Sequence, residues 1–542
     1  MINAIIFDFD NTLYNYDKCN NNALKCLFNS ISIDFSIDIN IINKLYSEIN
    51  KNIKISNNSS NKFNKIIYIK QLFESLNINL LNISKYLTIY DIHFDDNLEL
   101  YDGILDIIKL LKEHNIKLGL LSNNIFGQQY KKLEKLNILK YFDVIQTSDE
   151  CGEEKPNINI FLNILNKLNT IPQSTIFIGD NLEHDIIPSL KLGILPFYFQ
   201  YELNSKSNIL LEDKYIIFNN YINLHIFFKK YFESVDELIF LSKYFGQSNL
   251  NVQGPGGNIS VKLDNIIFIK SSGAVLGNIT YNEGYCLANN IKVKELLETK
   301  RDIELKETKI FGYKIPSMET FFHSFMEKYT VHIHFTLSNI FFCKNNSPIL
   351  EDFPYKYEII SYIPPGLLLS ENIKEIYNEN TSVYFLKNHG IIITSNDSTK
   401  MIEIYENIYK YFNKLLDNKF NDEFVTFNLN TQFYLKYNSA TIIKYIDYPV
   451  DILLNIKYCF PDLAIFIEEI CINDLTNVTK KTNIIINNKK VYLKADTLNK
   501  VYYIVELLDK YKILCDYSYN HLSCINDTKY LQNMVQEKFR KL

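Results

Sequence analysis

"AIIFDFDNTLY", residues 4–14, decides the fold of the first half of the chain: an apolar run ends in two aspartates two positions apart, Asp8 and Asp10, with Thr12 following. The same design recurs downstream. "KLGLLSNN" (117–124), "FDVIQTSD" (142–149), "STIFIGDN" (174–181) and "LPFYF" (195–199) are short apolar runs that end in or lie beside polar residues, and they read as strands. Between them "ILDIIKLLKEHN" (104–115) and "INIFLNILNKL" (158–168) repeat apolar residues at helical spacing. This alternation predicts a parallel sheet with crossover helices, whose ligands gather beyond the carboxyl ends of the strands. Residues 15–100 break the rhythm with Asn-rich, mostly helical sequence, which predicts a cap inserted over that site.

A second start falls near residue 232. "VDELIFLSKYFGQ" (235–247) and "PSMETFFHSFMEKY" (316–329) read as helices. "NVQGPGGNISVKLDNIIFIKSSG" (251–273) reads as glycine-rich turns and strands, "TVHIHF" (330–335) as a strand, and "SVYFLKNHGIIITS" (382–395) as a strand interrupted at a turn where Gly390 lets the backbone bend. The reading is an α/β layer with a mainly antiparallel sheet over 232–440, after a first domain over 1–230. Residues 441–542 form an extension, with a hairpin in "TNIIINNKKVYLKA" (482–495) turned at Asn487-Asn488 and a closing charged helix in "YLQNMVQEKFRKL" (530–542).

Composition narrows the class. At 542 residues the chain exceeds one ordinary core, and its 47% hydrophobic and 22% charged residues are those of a globular protein. A net charge of −5 does not suit a nucleic-acid binder. The nine scattered cysteines form no CxxC pair, so neither a thiolate zinc site nor a disulfide framework is expected and a reducing cytoplasm fits. No basic-then-apolar leader opens the chain and no apolar run has the length of a membrane span.

In the first half, Asp8 and Asp10 can hold a hard cation while one carboxylate attacks phosphorus. Ser122 can bind a phosphoryl oxygen, Lys155 in "EEKPN" can neutralise its charge, and Asp180 and Asp185 in "GDNLEHD" add carboxylates at another strand end. In order and spacing, "DFDNT", "LLSNN", "EEKPN" and "GDNLEHD" resemble the haloacid dehalogenase (HAD) superfamily of phosphohydrolases across residues 1–230. The resemblance implies a Rossmann-like sheet, Asp8 as nucleophile through an aspartyl-phosphate, and Asp10 as general acid/base. It further implies Mg²⁺ held by Asp8, Asp180 and the Asp10 backbone carbonyl with Asp185 in support, and phosphate bound by Thr12, Ser122, Asn123 and Lys155. A helical cap implies a small substrate.

In the second half His332 and His334 share one face of a strand, and taken alone such a pair is more often structural than catalytic. A catalytic zinc needs a third protein ligand, and His389 in "KNHG" supplies one. Among the other histidines, His323 on the preceding helix could reach the site but reads first as a surface or packing residue. Glu319 is placed as a proton-transfer base for enediolate chemistry, and "GPGGNIS" (254–260) with "IKSSG" (269–273) can close around an anion. "GGNISVK", "IKSSG", "PSMET", "VHIHF" and "KNHG" together resemble the class II aldolase/adducin family over about 232–440. The resemblance implies Zn²⁺ on His332, His334 and His389, Glu319 as acid/base, and substrate phosphate on Gly257, Asn258, Ser272, Gly273 and Ser317. It also implies a homo-oligomer, with the family's rings pointing to a tetramer through this domain. One departure is Met318, where family aldolases often carry a second serine before the glutamate.

The expectation is a bifunctional enzyme that cleaves or forms a phosphorylated ketose and hydrolyses a small phosphate ester. A methionine-salvage dehydratase/phosphatase fusion is the first alternative. Its dehydratases carry cysteine where Glu319 stands, its phosphatases read "DIEGTT" against "DFDNTL" here, and its domains run in the reverse order. The second alternative is a non-catalytic adducin-like assembly module, but adducins lack the three histidines.

Overall fold

A computed structural model describes residues 2–56, 60–201, 209–346 and 348–420. Beyond these it describes 434–436, 442–446, 448–454, 456–467, 469–472, 482–487, 490–518 and 522–525. The expected helix at 530–542 and the Asn488 half of the expected turn lie outside the described residues. The chain divides into two compact units, Met1–Tyr231 and Phe232–Leu542.

The first unit is built on strands β1 (Ala4–Phe7), β2 (Lys117–Ser122), β3 (Val144–Thr147), β4 (Thr175–Gly179), β5 (Leu195–Phe199), β6 (Ile209–Leu211) and β7 (Ile216–Phe218). They form one sheet in the order β3-β2-β1-β4-β5-β7-β6, parallel except for the β6–β7 pair. Ala4 and Ile6 of β1, Leu121 and Phe177 pack against Ile160, Phe161, Ile164, Leu165 and Leu168 of the helix Ile158–Leu168. Burying each large side chain contributes roughly 1.5–3 kcal/mol, so this face anchors the central strands and thereby their ends. Four helices, Tyr16–Phe35, Ile39–Ser56, Lys65–Ser75 and Ile83–Asp95, fill the insertion after β1. The two short strands β6 and β7 were not read from the sequence: three residues each carry too little pattern to separate from a loop.

The second unit holds an eight-stranded sheet ordered β11-β10-β9-β8-β12-β15-β14-β13. Its strands are β8 (Asn258–Leu263), β9 (Ile266–Lys270), β10 (Tyr285–Asn289), β11 (Lys309–Phe311), β12 (Tyr329–Ile333), β13 (Tyr357–Ile360), β14 (Val383–Leu386) and β15 (Gly390–Ser395). Every pair is antiparallel except β13–β14. The histidine strand β12 is central, with His332 opposite Asn258 on one side and Ile392 on the other. Phe321 and Phe322 of the short helix Thr320–Phe325 enter two clusters of buried apolar side chains, which pins the helix start. A smaller sheet, β16 (Tyr434–Lys436), β17 (Ile442–Ile446), β18 (Glu469–Ile472), β19 (Thr482–Asn487) and β20 (Lys490–Ala495), is ordered β16-β17-β20-β19-β18. β19 and β20 are the hairpin read from the sequence, with Asn487 opposite Lys490.

Three readings change. The helix expected to begin at 235 begins at Tyr221 and ends at Gly246, because Tyr221, Leu224, Phe227, Phe228 and Tyr231 are all buried. The helix expected over 316–329 covers only Thr320–Phe325. Gly390 is not the residue that turns the chain: Asn388 takes the left-handed conformation, φ 57°. Glycine is needed at 390 for close approach, since a Cβ there would lie 2.2 Å from the Ile333 carbonyl oxygen. Among the described residues no helix is long and apolar enough to cross a membrane.

Candidate active sites

In the first unit the parallel strands deliver their polar ends to one place. Asp8 follows β1, Ser122 closes β2 and Asp180 follows β4. Ligand oxygens of Asp8, Asp180 and Asp185 lie within 4.8 Å of one another. Lys155 Nζ donates to Asp8 Oδ1 at 2.5 Å and to Asp185 Oδ1 at 2.7 Å, and all three side chains are buried. The Thr12 hydroxyl donates to Asp8 Oδ2 at 2.8 Å and lies 3.1 Å from Asp180 Oδ1, so it is spent on the carboxylates. Asn123 exchanges two hydrogen bonds with the Lys155 backbone, 2.8 and 2.9 Å, while His184 Nδ1 lies 2.8 Å from the Lys155 carbonyl oxygen. The amide of Asn123 therefore braces the lysine. Gly179 has no room for a side chain, because a Cβ would meet Asp185 Oδ2 at 2.5 Å.

Electrostatics separate the carboxylates. Burial first, then the charges of Asp8 and Asp185, push Asp180 up to about 8. Burial also raises Asp185 to about 6, against the opposing pull of Lys155. Asp10 differs. Its carboxylate is not part of the three-aspartate cluster but takes hydrogen bonds from Lys132 and Gln129, both at 2.9 Å, from Asn124 at 3.1 Å and from Tyr14. Burial would raise it, yet the Lys132 charge and the Tyr14, Lys132 and Gln129 hydrogen bonds hold it below the usual carboxylate range. Gln129 also donates to Ser122 Oγ at 2.7 Å. Gln129 and Lys132 lie three apart on the helix Phe126–Lys135, a spacing that puts them on one face; the sequence reading missed both.

In the second unit His332, His334 and His389 place one ring nitrogen each within 4.8 Å of the others. His332 lies in β12 and His334 immediately after it, while His389 comes from the β14–β15 turn. His332 Nδ1 is 3.0 Å from the Ile391 carbonyl oxygen, which makes Nδ1 the protonated nitrogen and leaves Nε2 as a lone-pair donor. Burial lowers His334 to about 4, so the ring is neutral near pH 7. Glu319 Oε2 and Oε1 lie 3.8 and 3.7 Å from Nε2 of His332 and His389. Asn258 donates to Glu319 Oε2, and its carbonyl oxygen meets His323 Nε2; His323 Nδ1 in turn lies 2.8 Å from Ser260 Oγ. His323 is thus no surface residue. It is fully buried, and burial holds it neutral, well below its ordinary pKa.

One cavity is lined by Gly257, Asn258, Ser272, Gly273, Ser317 and Glu319 together with His334 and His389. Gly257 (φ 65°) and Gly273 (φ 72°) take left-handed conformations that favour glycine. Met318 and Lys270 also line it, and Lys270 escaped the sequence reading although "IKSSG" contains it. Asn258, read as a phosphate ligand, has its side chain between Glu319 and His323 and so orients the carboxylate. His334 Nδ1 contacts the buried carboxylate of Asp462, a residue no motif flagged.

The folds and sites define a two-unit α/β chain with an aspartate–lysine centre in one unit and a histidine–glutamate centre in the other. Through residues 5–197 the chain belongs to the haloacid dehalogenase-like hydrolases, and residues 236–413 match the class II aldolase and adducin N-terminal domain model. It is 30% identical over 208 residues to a glyceraldehyde 3-phosphate phosphatase of Methanothermobacter thermautotrophicus, covering 38% of this chain and 88% of that one. It is 26% identical over 199 residues to a ribulose-1,5-bisphosphate 5-phosphatase of Halopiger xanaduensis, covering 36% of this chain and 83% of the relative. An N-terminal class II aldolase domain from Thermoplasma acidophilum aligns over 34% of this chain and 93% of its own, at 22% identity and a TM-score of 0.31. The chain therefore joins a haloacid dehalogenase-like hydrolase domain to a region that matches the class II aldolase and adducin model.

Proposed function

We propose that the chain is a bifunctional sugar-phosphate enzyme, a zinc-dependent aldolase of phosphorylated ketoses joined to a magnesium-dependent phosphatase of a small phosphate ester. The observation that supports it most is the shared cavity, in which two of the three histidines, Glu319 and the glycine–serine loops face the same space. Three clustered imidazoles suit zinc, and the Asp8–Asp180–Asp185 cluster, in which burial and then the neighbouring Asp8 and Asp185 charges hold Asp180 at about 8, suits a magnesium ion.

In the lyase site His332, His334 and His389 would hold zinc, which when bound supplies Lewis-acid polarisation of the ketose oxygens. Glu319, aimed by Asn258, moves the proton as the carbon–carbon bond breaks or forms. Lys270, Ser272 and the backbone of Gly257 and Gly273 suit the substrate phosphate, with Met318 removing one hydroxyl from that set. In the phosphatase site Asp8, Asp180 and the Asp10 carbonyl would hold magnesium, which when bound supplies charge neutralisation at the phosphoryl group. Asp8 attacks phosphorus as the ester P–O bond breaks, the departing alkoxide takes a proton from water, and Lys155 steadies the transferred oxygens. Asp10, kept ionised by Lys132, takes the proton of the water that hydrolyses the aspartyl-phosphate. Ser122 accepts from Gln129, which leaves its own proton for a phosphoryl oxygen.

A panel of ketose 1-phosphates tests the lyase half by the release of dihydroxyacetone phosphate. Release that needs zinc and stops with a chelator is expected. A zinc-loaded chain that neither cleaves nor condenses any member contradicts the reading.

A further inference from the structure

The segment from residue 459 onward touches the lyase site at several points. Asp462, in the short helix Pro461–Phe466, sets its carboxylate on His334 Nδ1, and both side chains are almost wholly buried. Lys510, in the helix Leu498–Ser518, donates to the His334 carbonyl oxygen at 2.8 Å and to Gln253 Oε1 at 3.2 Å. Glu506, one turn earlier, accepts the Gly254 N–H at 2.6 Å at the head of the glycine loop. Asn388, beside His389, donates to the Cys459 carbonyl oxygen at 2.8 Å and to Ser523 Oγ at 2.9 Å. Ligand strand, ligand turn and anion loop are each tied to the same C-terminal segment.

A carboxylate accepts hydrogen bonds and cannot donate one, so its partner nitrogen on His334 must carry the proton. That leaves Nε2 as the metal-binding atom. Carboxylate–histidine–metal arrangements of this kind fix the ring and make it a better ligand. Gly256 leaves the room this ring occupies, since a Cβ there would lie 2.8 Å from His334 Nδ1.

We infer that Asp462 is a positioning residue of the lyase site: it accepts the Nδ1 proton of His334, fixes that ring and presents Nε2 to the zinc ion. The C-terminal segment is thereby a working part of the site. This rests on the zinc reading proposed above, and the test separates the two. Zinc affinity of the metal-free full chain is measured by competition with a chromophoric chelator for wild type, Asp462→Asn, Asp462→Ala and His389→Ala, with thermal melting in chelator as the check of folding. Wild type should hold a zinc that His389→Ala loses; its failure to do so overturns the zinc reading, and this inference with it. Given that zinc, Asp462→Asn, which preserves shape and removes charge, should weaken binding about 10-fold or more, and Asp462→Ala at least as much. Affinity within about twofold of wild type in Asp462→Asn, with or without a lowered melting temperature, overturns the positioning role alone.

Discussion

Lys155→Met keeps the length of the side chain and removes only its charge and donors. In the native site the ammonium lies 2.5 Å from Asp8 and 2.7 Å from Asp185, with side-chain exposures of 4%, 10% and 1%. Its loss leaves three clustered carboxylates without their buried counter-charge. Removing one partner of a buried ionic network costs about 3–5 kcal/mol. For a unit of 231 residues this lowers the melting temperature by roughly 6–20 °C. The deficit has a defined pH dependence. Asp180 at about 8 and Asp185 at about 6 stand above their ordinary 3.8, and without the lysine they rise further. Groups raised in the folded state relieve their penalty as pH falls through the folded value, so variant and wild type converge at pH 5. Magnesium should restore part of the loss at pH 7.5 by supplying the missing charge. Calorimetry of the first unit's transition, with and without magnesium, is the assay. A variant that melts within about 2 °C of wild type at pH 7.5 without magnesium refutes the assignment of Lys155 as the counter-ion.

Other perturbations probe the second unit. Gly390→Ala places a Cβ 2.2 Å from the Ile333 carbonyl oxygen, so β15 must separate from β12; a loss of about 1–3 kcal/mol in chemical denaturation and weakened zinc binding are expected. Burial pushes Asp509 up to about 6 from 3.8, so its cost to folding sets in above pH 3.8 and is complete above 6. Asp509→Asn should therefore stabilise the chain by about 1–2 kcal/mol at pH 7.5, solvent screening taking up part of the shift, and leave it unchanged at pH 3.5, read from denaturant midpoints. His323→Leu strands Asn258 and Ser260 in a buried site and should cost about 1–3 kcal/mol, with lyase turnover falling because Asn258 no longer holds Glu319.

What the sequence discloses and what it hides divide along a physical line. The ends of β1, β2 and β4 were readable because a polar residue stops each apolar run, so Asp8, Ser122 and Asp180 announced themselves. His332, His334 and His389 were readable because their neighbours form dense motifs. Lys132, Gln129, Asp462 and Lys510 carry no such local mark. They sit on helices as ordinary polar residues, and only packing brings them to Asp10 or His334. Asn123, Thr12 and Asn258 show the converse: a motif names them, but their side chains spend their hydrogen bonds on Lys155, the carboxylates and Glu319. The Asn388–Gly390 turn misled for a similar reason. Glycine suggests a bend, whereas here it answers a close strand contact visible only in three dimensions.

The central claim is two independent active centres in one chain, and separation of function tests it most directly. Wild type, Asp8→Asn and Glu319→Gln are assayed in parallel for hydrolysis of p-nitrophenyl phosphate with magnesium and for cleavage of phosphorylated ketoses with zinc. Asp8→Asn should lose hydrolysis and keep cleavage, and Glu319→Gln should do the reverse. Loss of both activities together in either variant, with the chain still folded, would contradict the account.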